Sequence, residues 1–89
     1  MFFKVLLHPN AAKTLRKLDE VVKLRLKKAL GKLVVDPFEA GKPLHLSDYW
    51  RLSSGDYQTI YEINVEQNQV TVLFVGHRKK VYDDFSKLL

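Results

Sequence analysis

The feature that most constrains the fold is a change in the period of the hydrophobic residues along the chain. Between residues 10 and 34, apolar side chains recur at the spacing of an α-helix, with lysines and arginines mostly on the other side. Between residues 49 and 75 they follow the shorter period and the β-branched, aromatic composition of strands. This order predicts an α+β fold in which helices pack against one face of an antiparallel sheet.

The first part of the sequence, residues 2–34, predicts one strand followed by two helices. Residues 2–8 are mostly bulky and apolar and stop before Pro9, so we expect a strand there. Residues 10–18 and 21–34 predict two helices that form an αα-hairpin. The break at Asp19-Glu20 provides negative charge for the N-terminus of the second helix, where the helix dipole favours it.

The second half predicts a three-stranded antiparallel meander. A loop is expected over residues 36–47, which contain Pro37, Gly41 and Pro43. Strands are expected over 49–53, 57–65 and 69–75, joined by two short turns. Residues 79–89 predict a short C-terminal helix or tail. The helical hairpin covers one face of the sheet, and we expect a ligand on the other, partly open face.

Length and composition limit the class of protein. A chain of 89 residues is expected to form a single domain spanning residues 1–89. The absence of cysteine excludes a disulfide framework and a thiolate metal site, and it fits the cytoplasm. The apolar N-terminal stretch is too short for a signal peptide or a membrane span, so we expect a soluble protein without a membrane partner.

The net charge of +5 is distributed unevenly. Residues 1–35 carry nine Lys and Arg against two acidic residues, and residues 76–89 carry four against two. Residues 36–75, between these basic zones, carry six acidic residues against two basic ones. This distribution predicts a polyanionic partner, either nucleic acid or an acidic protein segment. A solvated helical face explains the same composition equally well.

Several enzyme classes lack their motifs in this sequence. No glycine-rich phosphate loop follows a strand, and no GxSxG motif occurs. The three histidines, His8, His45 and His77, are scattered without the spacing of a metal site. We therefore expect neither a metal nor another cofactor.

Basic and aromatic residues on the sheet remain as candidates for chemistry. Arg51 lies on the first meander strand, Gln58 opens the second, and the segment from His77 to Tyr82 follows the third. The order of the meander makes these segments neighbours. Cleavage of RNA without a metal needs proton-transfer groups and cations that stabilise the phosphoryl oxygens, a task for which arginine is well suited. Each residue also has a structural explanation, so the residues alone indicate a basic α+β domain that faces nucleic acid.

Three stretches resemble the RelE/ParE toxin superfamily. Residues 8–18 (HPNAAKTLRKL) are similar to the start of that family, and residues 49–63 (YWRLSSGDYQTIYEI) resemble its central hairpin. Residues 75–82 (VGHRKKVY) are similar to the segment after its last strand. The stretches occur in the order of the family along nearly the whole chain.

The resemblance implies the toxin of a type II toxin–antitoxin system. RelE-like members enter the ribosomal A site and cleave mRNA there, so the expected partners are the ribosome with its rRNA, the mRNA and an acidic antitoxin of the RelB type. The implied reaction is a metal-independent attack by the ribose 2′-OH. The alternatives are a ParE-like toxin that inhibits DNA gyrase, or a catalytically weakened RNA-binding member.

The family pattern also implies the site residues. Arg78 would stabilise the phosphate in the transition state, Arg51 would orient or stabilise the same group, and Tyr82 would act as general base or stack on a base. The expected catalytic residues are thus Arg51, Arg78 and Tyr82, and the expected substrate-binding residues are Gln58, His77, Lys79 and Lys80.

Two positions depart from the family pattern. Gln58 stands where the family usually carries arginine, and Tyr49 where strongly active members can have lysine. Loss of one electrostatic stabiliser typically slows an enzyme by about 10²–10³-fold. We therefore expect a weak endoribonuclease, or one in which His77 or Lys79 compensates. Arg78 with Tyr82 favours the nuclease, whereas Gln58 favours the gyrase inhibitor.

Overall fold

The computed structural model describes residues 2–44 and 47–86. Its elements in chain order are β1 (Lys4–Leu7), α1 (Pro9–Lys17), α2 (Glu20–Val35), α3 (Pro37–Ala40), β2 (Lys42–Pro43), β3 (Tyr49–Ser54), β4 (Tyr57–Asn64), β5 (Gln69–His77) and α4 (Arg78–Ser86). The predicted order of strand, two helices, meander and C-terminal helix is confirmed. None of the described helices combines the length and the apolar character needed to cross a membrane.

The strands form one five-stranded sheet in the order β1-β5-β4-β3-β2. Strands β3, β4 and β5 make the predicted antiparallel meander, while β1 pairs with β5 in parallel. Because β1 reaches only residues 69–72 of β5, the second half of β5 extends beyond it.

Side-chain caps begin the helices at the positions that the sequence indicates. The Asp19 carboxylate accepts hydrogen bonds from the backbone N–H groups of Val21 (2.9 Å) and Val22 (3.1 Å), which starts α2. His8 Nδ1 accepts a hydrogen bond from the Asn10 N–H at 3.2 Å, and Pro9 occupies the first turn of α1.

The expectation of an unstructured loop over residues 36–47 is wrong in part. Asp36 caps the short helix α3 by accepting from Phe38 N (3.0 Å) and Glu39 N (3.2 Å), and Pro37 suits its first turn. The next residues form β2, which pairs with β3 at the edge of the sheet. Two residues of the predicted loop, 45 and 46, lie outside the described part of the chain.

The ends of the last two elements also differ from the prediction. Strand β5 continues to His77, two residues beyond the predicted end, and α4 begins directly at Arg78. Gly76 therefore lies inside the strand, opposite Gln58, and does not terminate it. The final residues of the predicted helix, 87–89, lie outside the described residues.

The main core lies between the sheet and the helices α1 and α2. Leu15, Leu26 and Leu33 from the helices pack against Tyr61 and Val72 from the sheet. A smaller cluster on the opposite face joins Ile60 of β4 to Val81 of α4. Helix α4 thus covers part of the face that was expected to be open, and this coverage positions the candidate site.

Tyr61 fastens the α3–β2 segment to the sheet. Its hydroxyl donates a hydrogen bond of 2.6 Å to the carbonyl oxygen of Pro37, and its ring stacks with Trp50 at a centroid distance of 6.4 Å. Burial and, to a smaller extent, the charge of Asp36 raise the pKa of Tyr61 to about 12, and a backbone hydrogen bond with Gly41 partly offsets them. The phenol is therefore a neutral structural donor.

Candidate functional site

Arg51 and Tyr82 meet on the face of the sheet that carries α4. Directly paired residues of antiparallel strands project to the same face, and Arg51 pairs with Ile60, which packs against Val81 of α4. Arg51 Nη1 donates a hydrogen bond of 3.1 Å to Tyr82 Oη. Both residues are half-buried. Two predicted catalytic residues, 31 positions apart in sequence, are therefore in direct contact.

Arg78 reaches the same region through α4. Arg78 and Tyr82 are four residues apart, so they lie on one side of the helix. Both line a surface cavity of about 500 Å³ that is also lined by Asp56, His77 and Lys79. The Arg78 N–H donates to the Asp56 carbonyl at 2.8 Å, which fixes the start of α4 beside the β3–β4 turn. Tyr82 thus links Arg51 with the cavity that Arg78 lines.

Positive charge is concentrated at the N-terminus of α4. Arg78, Lys79 and Lys80 occupy the first turn, which contains no acidic residue. The unpaired N–H groups of a helix N-terminus already carry partial positive charge, so cations there are unfavourable and anions are favourable. A phosphate group at this end would relieve the mutual repulsion.

Three of the predicted substrate-binding residues, Lys79, Lys80 and His77, lie in three different places. Lys79 shares the cavity of Arg78, whereas Lys80 lines a different cavity, between α4 and α1. His77 pairs with Tyr57, and their rings make an edge contact at 6.0 Å, which directs His77 to the sheet face opposite Arg51. Its place at the end of β5 still brings it to the rim of the Arg78 cavity.

Gln58 differs from the expectation that it contacts substrate. Its side chain is only 2% exposed, and Nε2 donates a hydrogen bond of 2.7 Å to Ser53 Oγ. The buried Oε1 accepts no hydrogen bond from any of the residues that the structure describes. The sequence could not reveal this, because β4 is buried on both faces from Gln58 to Tyr61. Gln58 therefore holds Ser53 and presents little surface to a bound molecule.

Sequence reasoning missed Lys42 and Ser53. Lys42 of β2 is the direct partner of Arg51 in the β2–β3 register, so the two side chains lie on the same face of the sheet. Both, together with Gly41 and Ser53, line a cavity of about 260 Å³. For a lysine in a predicted loop, the sequence does not indicate which strand residue it will lie beside. The structure thus adds a second cation beside Arg51.

Among the side chains that the structure describes, no group of three or more histidine, aspartate or glutamate residues is arranged to hold a metal ion. Apart from Asp56, the charged and titratable groups that line the described site are cations, a phenol and a histidine, which bind phosphate and transfer protons.

The sequence matches, over residues 5–82, the family described as the ParE toxin of the type II toxin–antitoxin system parDE. The chain belongs to the RelE/ParE toxin superfamily. The resemblance of residues 8–18, 49–63 and 75–82 to this superfamily is thereby confirmed. Among proteins of curated function, no sequence matches this toxin.

Solved structures of RelE proteins share the fold of this toxin. The toxin–antitoxin complex RelBE2 of Mycobacterium tuberculosis contains a chain that is 30% identical, with a TM-score of 0.79, covering 88% of this toxin and 100% of that chain. A double arginine-to-alanine mutant of the Escherichia coli toxin RelE in the free state is also 30% identical, with a TM-score of 0.79, covering 100% of this toxin and 99% of that chain. The archaeal RelE–RelB complex of Pyrococcus horikoshii, at 24% identity and a TM-score of 0.71, shares the fold over 88% of this toxin and 97% of that chain.

Proposed function

We propose that this toxin is a ribosome-dependent endoribonuclease that cleaves mRNA in the A site, in the cytoplasm where translation takes place. The observation that carries the proposal is the hydrogen bond between Arg51 and Tyr82, beside the cavity that Tyr82 shares with Arg78. Cations from a strand and from a helix N-terminus thereby flank one phenol. Cleavage of a phosphodiester needs such cations to stabilise the phosphoryl oxygens and a group such as this phenol to transfer a proton.

The reaction needs only the RNA and side chains of the toxin. The ribose 2′-oxygen attacks the adjacent phosphorus, the bond from phosphorus to the 5′-oxygen breaks, and the products are a 2′,3′-cyclic phosphate and a 5′-hydroxyl. Tyr82 acts in its phenolate form: Oη, which the hydrogen bond from Arg51 orients, accepts the proton of the 2′-hydroxyl. His77, at the rim of the same cavity, donates a proton to the leaving 5′-oxygen.

Positive groups stabilise the charge that develops on the phosphoryl oxygens. Arg78 and Lys79 approach from the first turn of α4, where the helix dipole also favours an anion. Arg51 approaches from β3 with Lys42 beside it. Lys42 supplies a charge in the region where the buried, uncharged Gln58 supplies none. The charge of Lys42 supports a nuclease that does not depend on an arginine at position 58.

An acidic antitoxin is the proposed protein partner. Similar structures are toxin–antitoxin complexes of RelE with RelB, and residues 1–35 of this toxin carry nine of its 15 Lys and Arg. Val21 and Leu24, on one side of α2, are 71% and 68% exposed and offer apolar contacts between these cations. An acidic segment that folds as it binds would cover both.

Primer extension on translated mRNA tests the proposed activity after induction of the toxin. We expect codon-phased breaks, and we expect Arg78→Ala and Arg51→Ala each to lower cleavage at least tenfold while the fold is retained, because each removes one electrostatic stabiliser. Arg16→Ala, an exposed arginine on α1, is the matched control and should leave cleavage unchanged. Cleavage at the wild-type level in both site variants would refute the proposal.

A second candidate is a ParE-like inhibitor of DNA gyrase, favoured by the family match and by the uncharged Gln58. The same experiment separates the two, because a gyrase inhibitor leaves mRNA intact and produces double-strand DNA breaks. Cells that tolerate the toxin without its antitoxin would indicate instead a catalytically weakened member that only binds RNA.

A further inference from the structure

A second basic cavity lies on the other side of α4 from the proposed cleavage site. It has a volume of about 480 Å³ and lies between α1, the second half of β5 and α4. Its lining includes the cations Lys13, Lys17 and Lys80, the polar residues Asn10 and Thr14, and an apolar floor that contains Phe74.

The charged side chains that line this cavity, among those that the structure describes, are all basic. No described aspartate or glutamate lines it, whereas the Arg78 cavity includes Asp56. A third cavity, beside Trp50, contains Asp48, Glu62 and Glu66. The cavity between α1 and α4 is therefore suited to an anion, and the cavity beside Trp50 is not.

The helix dipoles do not favour all three of these lysines. Lys17 is in the last turn of α1, where the helix dipole favours a cation. Lys13 is one turn earlier on the same side, and like charges four residues apart repel each other. Lys80 is in the first turn of α4, where the dipole disfavours a cation. Lysines that converge from two helices on one cavity suit an anionic ligand.

We propose that this cavity binds a backbone phosphate of the RNA strand, a few nucleotides from the bond that is cleaved. The proposal rests on the proposed function, since it takes the ligand to be the strand that enters the cleavage site. The first turn of α4 borders both cavities, with Arg78 and Lys79 on one and Lys80 on the other. A strand that crosses this turn contacts both, and a sugar or base edge packs on the floor at Phe74.

Binding of a short 2′-O-methyl oligonucleotide, which cannot be cleaved because its 2′-oxygen is blocked, tests the cavity without the ribosome. The test variant is Lys13→Gln/Lys17→Gln. The matched control is Lys28→Gln/Lys32→Gln, which removes two exposed lysines with the same four-residue spacing from α2. Both variants lower the net charge equally, so only the position of the lost charge differs. Thermal unfolding of each variant verifies the fold.

We expect fluorescence anisotropy to show about tenfold weaker binding for the α1 variant and less than about twofold for the control, because only the former loses charge-assisted contacts to phosphate. The slope of log K against log salt should fall by about 1 in magnitude for the α1 variant alone. In the wild-type protein, the amide NMR signals of Asn10, Thr14 and Val75 should shift on addition of the oligonucleotide.

Equal losses in the two variants would overturn the proposal, because the lysines would then act only through net charge. Unchanged RNA binding together with weakened binding of poly-glutamate by the α1 variant would also overturn it, in favour of an acidic protein segment. Failure of the proposed function is seen separately: Arg51→Ala and Arg78→Ala would cleave mRNA normally, whatever the anisotropy shows.

Discussion

Tyr82 connects the strand cation Arg51 with the helix cation Arg78, and a single atom of its side chain makes the contact with Arg51. Tyr82→Phe removes the hydroxyl and keeps the ring. We expect mRNA cleavage to fall by about 10²-fold or more, as for loss of a proton-transfer group. The free energy of unfolding should change by about 1 kcal/mol or less, because the lost hydrogen bond is only half-buried.

The matched control for this variant is Tyr57→Phe. Tyr57 is half-buried as well, but it lies on the opposite face of the sheet, where its ring makes a T-shaped contact with that of His77. Single-turnover cleavage of ribosome-bound mRNA compares the two variants. Equal rates for Tyr82→Phe and Tyr57→Phe would show that the Tyr82 hydroxyl takes no part in the reaction.

Tyr61 provides a prediction for the pH dependence of stability. Its pKa is raised from 10.0 to about 12 in the folded protein, so folding favours the neutral phenol. The stabilisation is complete below pH 10 and is lost as the pH rises towards 12. Over this interval the titration of Tyr61 should lower the free energy of unfolding by on the order of 1 kcal/mol per pH unit.

Urea unfolding at a series of alkaline pH values measures this contribution against the variant Tyr61→Phe. At neutral pH the variant should be less stable by about 1–3 kcal/mol, because the Pro37 carbonyl loses its buried donor. Between pH 10 and 12 the difference between the two proteins should shrink. A constant difference over that range would contradict the assignment of the raised pKa to Tyr61.

The individual site residues differ in how well the sequence predicts them. The order of the meander predicted that the segments of Arg51, Arg78 and Tyr82 are neighbours, and the hydrogen bond between Arg51 and Tyr82 agrees with this; the family pattern selected the three residues as candidates. Gln58 lies on the face of the sheet that α4 covers, and a strand pattern does not indicate this coverage. Lys42 lies beside Arg51 only because β2 pairs with β3, and a pattern within one segment does not show this pairing.

At the scale of elements, β2 depends on a close approach at Gly41. A Cβ atom at this position would collide with the Arg51 carbonyl and the Tyr61 hydroxyl. Gly41→Ala should therefore force β2 away from β3, lowering the free energy of unfolding by about 1–3 kcal/mol. Because Lys42 follows directly, the variant should also lower the cleavage rate.

Gly31→Ala is the control for this substitution. Gly31 is exposed in α2, and a Cβ atom there meets nothing within 4 Å. Alanine in a helix interior is favoured over glycine, so this variant should be more stable by about 0.5–1 kcal/mol. Urea denaturation measures both proteins. If Gly41→Ala is as stable as the wild type, β2 is not held by this contact.

The boundaries of elements were predictable where a local signal marks them. Asp19 and Asp36 are short acidic side chains that cap α2 and α3, and Asp36-Pro37 ends α2 at the predicted place. The pairing of β2 with β3 and the shift of register between Ile60 and Tyr61 arise from contacts between distant segments. No local pattern contains that information.

At the scale of the whole molecule, the two faces of the sheet have different roles. The face under α1 and α2 carries the main core, while the face under α4 carries Arg51 and its hydrogen bond to Tyr82. The uneven charge predicted from sequence agrees with this division, since basic residues of the first and last zones converge around α4. The proposed chemistry depends on α4 remaining docked against Ile60 through Val81.

If the proposal holds, Arg51 and Tyr82 act together in one reaction site. A double-mutant cycle of Arg51→Ala and Tyr82→Phe, measured as the single-turnover rate of mRNA cleavage on the ribosome, tests this cooperation. We predict that the double variant loses clearly less activity than the product of the two single losses, since residues in direct contact are not additive. Two large losses that multiply in full would contradict a shared site.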